Sequence, residues 1–242
     1  MASCSILDPR PQACIKRRSI PGLLLQTFLI YAVCAFIAYI VRVIVGDSAD
    51  PWTSTLALQG TMALAAIISI NRDSMSAAEV GLKLPSHYLH VGSILAVILI
   101  NVLGGVILIG GWFPPMPHTH RSLLGNIFWI CAFVPAVEEF FVRGWFQTAT
   151  ARALAKTRKK RVILLSAATF SLLHLGWIFR GAPLSTTLII MLGTFLSGLF
   201  FARCRQQSGS IVPPILLHTI YNLTGVLFSA GITWVLTHPA PS

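Results

Sequence analysis

Apolar residues fall along this chain in long runs, separated by short polar or basic stretches. The runs cover about residues 23–45, 54–70, 91–112, 123–149, 162–179, 184–202 and 211–236. Each is close to the length, about 20 residues, that a helix needs to cross a bilayer. None alternates at period 2 as a barrel strand does, so the backbone must satisfy its hydrogen bonds within each segment. The pattern predicts an all-α, polytopic transmembrane helix bundle of about seven to eight spans. The eighth would arise from a break in the last run near Gly225 or Gly231.

Interruptions within the runs predict local shape. Pro135 removes one backbone donor and should kink the fourth helix. The pairs Gly104-Gly105 and Gly110-Gly111 allow close helix approach or a bend, and Gly193 with Ser197 makes a small-residue packing face. Pro213 and Pro214 suit the first turn of the seventh helix.

Composition sharpens the membrane reading. The chain is 55% hydrophobic and 10% charged, where soluble domains carry about 25% charged residues. Mean hydropathy is +0.76. The net charge of +11 could suggest nucleic acid, but the basic residues flank the apolar runs, as orientation signals do. With the N-terminus inside, the tail, the 71–90 loop, the 150–161 loop and the 203–210 loop are cytoplasmic and hold fourteen of the eighteen Lys and Arg. Seven spans then place the C-terminus outside. The five cysteines (Cys4, Cys14, Cys34, Cys131, Cys204) show no paired spacing, which argues against disulfides or a zinc knot. No secretory leader pattern precedes the first run, so it is expected to remain as a span.

Against this background, Val134–Arg143 stands out. It puts Glu138, Glu139 and Arg143 inside an apolar run, and an ionisable group at mid-bilayer costs a few kcal/mol or more. Such groups should face the bundle interior and have partners. Glu139 and Arg143, four apart, share a helix face and can neutralise each other. Glu138 points about 100° away and needs another partner. The fifth run offers Phe170-Ser-Leu-Leu-His174, and the seventh offers His218-Thr-Ile-Tyr-Asn222. Glu138 lies roughly 20 Å along its helix from Arg152, and His174 roughly 20 Å from Arg161. His218 and Asn222 lie roughly 10 to 20 Å from the start of the seventh span. Three helices thus deliver Glu, His, His and Asn to one layer.

That set permits two chemistries. Glu138 with neutral His174 can hold and deprotonate a water, while His218 and Asn222 are donors suited to a developing oxyanion. Alternatively, Glu138, His174 and His218 could hold a zinc ion that activates the water. Spacing leaves both open, and there is no HExxH to favour metal.

The pieces EExxxR at Glu138–Arg143, FxxxH at Phe170–His174 and HxxxN at His218–Asn222 resemble the CPBP family. These are the CaaX-protease and bacteriocin-processing glutamate intramembrane proteases, also called the Abi family. Gly209–His218 looks like the family's lead-in to its third motif, and the resemblance covers about residues 120–228. It implies Glu138 as catalytic carboxylate, His174 as its water-positioning partner, and His218 and Asn222 as oxyanion stabilisers. Glu139, Arg143 and Phe170 would support them. The implied organisation is a basic cytoplasmic tail (1–20), N-terminal spans (21–120), a CPBP-like catalytic core (121–236) and a short C-terminal tail (237–242). The implied partners are the lipid bilayer and a membrane-associated protein or peptide, CaaX-type or bacteriocin-related, with no nucleic acid. No cofactor is expected beyond the zinc alternative. The implied location is a bacterial cytoplasmic membrane.

Simpler readings compete at several positions. Glu139 and Arg143 can be a structural ion pair. His118 and His120 fit a solvated turn. Asn222-Leu-Thr224 is a chance sequon within a span. Phe140, Phe141, Trp145 and Phe146 fit packing, and the 152–161 basic run fits an orientation signal with secondary attraction for anionic lipid. Two rival functions use the same polar cluster. One is a non-catalytic bacteriocin-immunity or membrane binding protein. The other is a proton-coupled transporter, against which stands the lack of an inverted repeat or paired broken helices.

Overall fold

The computed structural model describes residues 18–46, 52–87, 89–108, 123–154 and 158–237. The chain forms helices α1 (Ile20–Val45), α2 (Trp52–Arg72), α3 (Ala77–Val80) and α4 (Val91–Leu108). A fourth long segment joins α5 (Leu123–Phe128), α6 (Val134–Glu139) and α7 (Gln147–Ala153) through π-helical turns at Trp129–Phe133 and Phe140–Phe146. Next come α8 (Lys159–Leu173), a 3₁₀ turn (His174–Arg180), α9 (Leu184–Ser208) and α10 (Val212–Thr237). Among the described residues, six helices are long and apolar enough to cross a membrane. The fourth segment is helical throughout but changes its winding four times, so it contains no single long α-helix. The result is a helical membrane bundle.

The fourth segment runs through the centre. Phe141, Val142, Arg143, Trp145 and Phe146 are all buried, and the segment packs against α2, α8 and α10. The outer helices show the reverse pattern. Leu25, Leu29, Val33 and Phe36 on α1, and Leu95, Leu99 and Leu103 on α4, are exposed, as suits helices whose solvent is lipid. Small residues set the closest approaches. A Cβ on Gly105 would meet the Phe228 ring at 2.4 Å, and one on Gly193 would meet the Tyr221 hydroxyl at 3.2 Å. Gly104 faces open space.

Several expectations change. The break sought near Gly225 or Gly231 is absent, because α10 continues through both. Asn101 on α4 donates to the Tyr221 carbonyl at 2.8 Å and braces this helix from outside. The irregularity at Pro135 takes the form of the π-turn just before it, where Val134 donates to Trp129 rather than to residue 130. A proline lacks the N–H that would continue the regular ladder, and a widened turn accommodates its ring. Arg203 and Arg205 lie within α9, not in a following loop. The α-helix of the fifth run ends at Leu173, so His174 sits at the start of a tighter turn rather than mid-helix. Cys34, Cys131 and Cys204 are free and buried. His118, His120, Gly110-Gly111, Cys4 and Cys14 lie outside the described residues.

The 73–87 connection ties the basic end of the bundle together. Ser76 and Glu79 form a reciprocal capping box on α3. Arg152 donates to the carbonyls of Asp73 and Ser74 and to the Glu79 carboxylate. Trp145 donates to Asp73, and Arg18 pairs with Asp73. Arg205 reaches the Glu79 carbonyl at 2.6 Å, and the Ile211 amide donates to Gly81 at 3.0 Å. This end of α2 is thereby fixed against the fourth segment, α9 and α10.

Two outcomes follow for this clamp. Gly81 has φ +88° and a Cβ there would lie 2.8 Å from the Arg205 guanidinium. Gly81→Ala should therefore lose about 1–2 kcal/mol from the left-handed backbone alone, seen as a lower melting temperature in detergent. Burial pushes the Glu79 carboxyl up, but its bonds with Arg152 and Ser76 outweigh this and hold it below its ordinary 4.5. A depressed carboxylate contributes stability above its unfolded pKa and loses it as pH falls through the folded value. The melting-temperature advantage of wild type over Glu79→Gln should thus be full at neutral pH and shrink as pH falls below about 4.5 and through the depressed folded value.

Candidate active site

The site is built from one carboxylate pair presented by α6. Glu138 and Glu139 are adjacent, so they face different neighbours. Glu139 is fully buried, and its Oε1 accepts from Arg143 Nη1 at 3.1 Å and from His218 Nδ1 at 3.0 Å. Arg143 is also fully buried and donates through Nη2 to the Gly198 carbonyl on α9 at 3.3 Å. Its guanidinium stacks over the Phe170 ring at 4.4 Å. A side chain on Gly198 would meet Arg143, Ala167 and Phe170 at 3.3–3.4 Å, so only glycine leaves this passage open. The expected four-apart pair therefore forms, and it also reaches α8, α9 and α10.

Phe170 is the apolar centre of this arrangement. Its ring contacts His174 at 5.0 Å and His218 at 5.4 Å, both edge-on, while His218 stacks on Phe201 at 5.0 Å. The two imidazoles are fixed by aromatic walls and by one hydrogen bond each. His174 Nδ1 lies 2.9 Å from the Phe170 carbonyl, which can only accept. His218 Nδ1 faces a carboxylate, which accepts when ionised. Nδ1 thus carries a proton in both rings; a neutral ring presents its Nε2 lone pair, and a second proton makes Nε2 a donor.

Glu138 lies at the edge of this cluster, with its side chain 19% exposed. Its Oε2 is 3.9 Å from His218 Nε2, and its Oε1 accepts from Gln59 Nε2 at 3.2 Å. His174 interacts electrostatically with Glu138, His218 and Arg143. Glu138, His174 and His218 are therefore brought together from three segments. Asn222 is placed one turn beyond His218, and its Nδ2 donates to the Ile130 carbonyl at 2.8 Å. That carbonyl belongs to the π-turn before Pro135, so Asn222 fastens α10 to the fourth segment. Among the described residues, no group of three or more His, Cys, Asp or Glu side chains is gathered as a metal-ion site.

Gln59 was missed by the motif reading. It lies on α2, outside the segment that carries the motifs, and is buried at 3% exposure. The signal was present: Gln59 is a lone amide in an apolar stretch, roughly 20 Å along its helix from Arg72. Glu138 lies at the same depth from Arg152.

A family model described as Rce1-like, type II CAAX prenyl endopeptidase, matches residues 120–224. The match includes Glu138, Glu139, Arg143, Phe170, His174, His218 and Asn222. No curated protein and no solved structure matches the chain.

The ion pair gives a direct stability test. Arg143→Leu leaves Glu139 charged in a dry interior, a loss of about 3–5 kcal/mol. The double change Glu139→Gln with Arg143→Leu should recover most of it, as measured by denaturation of the purified protein in detergent.

Proposed function

We propose that this chain, whose residues 120–224 form an Rce1-like core of the CPBP family, is an intramembrane endopeptidase using a glutamate-activated water. Family membership supports a protease of CAAX type, and the six apolar helices support an integral membrane protein. The observation that carries the reading is Glu138 Oε2 facing His218 Nε2 at 3.9 Å, with each imidazole held by its own Nδ1 contact.

Those contacts support the following course. A water between Glu138 and the free Nε2 of His174 donates one hydrogen to each. Glu138 takes a proton as the water oxygen bonds to the scissile carbonyl carbon. The carbonyl oxygen becomes an oxyanion. His218 in its imidazolium form donates to it from Nε2, with Glu139 supplying the counter-charge. The amide hydrogen of Asn222 not used on Ile130 is the second donor. Collapse breaks the C–N bond, and Glu138 returns its proton to the leaving amine. Water-excluded surroundings strengthen each of these interactions.

The substrate class is a membrane-associated protein or peptide, CaaX-type or bacteriocin-related. The basic end of the bundle faces the cytoplasm, as the positive-inside distribution favours, and the bond is presented from that side. No metal enters this scheme.

Comparison of membrane-protein termini by mass spectrometry, in cells carrying wild type or Glu138→Gln, tests the proposal. New termini should occur with wild type alone. Cleavage retained by purified, folded Glu138→Gln protein would overturn it.

A further inference from the structure

Gln59 combines three properties that a packing residue does not need. It is buried, its Nε2 donates to Glu138 Oε1 at 3.2 Å, and its own Oε1 has no hydrogen-bond partner. An amide oxygen buried without a partner is a net cost to folding. If the residue served the fold alone, a leucine of similar size would do better. The contact also comes from outside the family-matched segment, on a helix whose position is set separately by the clamp at Asp73.

We infer that Gln59 is a positioning residue for the working carboxylate. By occupying Oε1, it holds the carboxyl plane so that Oε2 faces His218. Without it, the Glu138 side chain, which is partly exposed, is free to rotate. This rests on the reading of Glu138 as catalytic base. It goes beyond that reading by giving α2 a part in the active site.

The test uses full-length protein in lipid nanodiscs with a farnesylated CaaX-type peptide as probe. Gln59→Leu should keep or raise the melting temperature, lower kcat by about ten- to a hundredfold, and leave KM unchanged. A substrate-free readout accompanies it. The chain has seven Asp and Glu, so the carboxylate infrared band missing from Glu138→Gln can be assigned to Glu138. That band should shift in Gln59→Leu. Gln59→Met, close in size but lacking the donor, is the second variant and should shift it as well.

An unchanged band together with unchanged kcat in a folded variant would overturn the inference, as would failure of both variants to fold. If wild type leaves the probe uncut while the band still shifts, positioning by Gln59 stands and the protease reading loses support. If wild type cuts the probe and the variants match it, the protease reading stands and Gln59 is only packing.

Discussion

A buried carboxylate shared between a guanidinium and an imidazole is the constraint on which the rest of the bundle depends. Glu139 accepts from Arg143 and from His218, and the carboxylate and guanidinium are both fully buried. Taking an ion pair out of water is expensive, and it is tolerated only where geometry and further hydrogen bonds are good. Much of the surrounding structure supplies that geometry. Gly198 leaves room for the guanidinium, its carbonyl takes a second donor hydrogen, and Phe170 gives the cation an aromatic face. The four helical segments that meet here cannot slide past one another without exposing a charge.

This explains how a flexible ring becomes a precise one. His218 is oriented by the same carboxylate that balances Arg143, and Phe201 and Phe170 close its two sides. Stability and the proposed chemistry therefore share a residue, and Glu138, next in the chain, inherits its position. Adjacent helix residues point about 100° apart, so one glutamate anchors while its neighbour reaches the open space.

The winding of the fourth segment serves the same end. Two π-turns flank the carboxylate pair, one before Pro135 and one holding Arg143. A widened turn leaves carbonyls less committed to the helix, and Asn222 takes up one of them at Ile130. The asparagine thus has a structural duty beside the chemical one proposed for it.

The membrane character, the rough number and limits of the helices, and the Glu139–Arg143 pair were legible in the sequence. These depend on local pattern: apolar run length, basic flanks and a spacing of four. Depth along each helix, at a fixed rise per residue, also indicated that Glu138, His174 and His218 could meet. Local pattern did not show which donor each carboxylate would take, because that depends on helix rotation and on contacts between segments far apart in the chain. So His218 bonds to Glu139 rather than to Glu138, and Gln59 takes the place left open. The unbroken α10 was hidden for a similar reason: Gly225 reads as a break, yet Asn101 from α4 lies against it and braces the helix. Sequence determined what could enter the membrane and at what depth; packing alone decided which side chains face each other there.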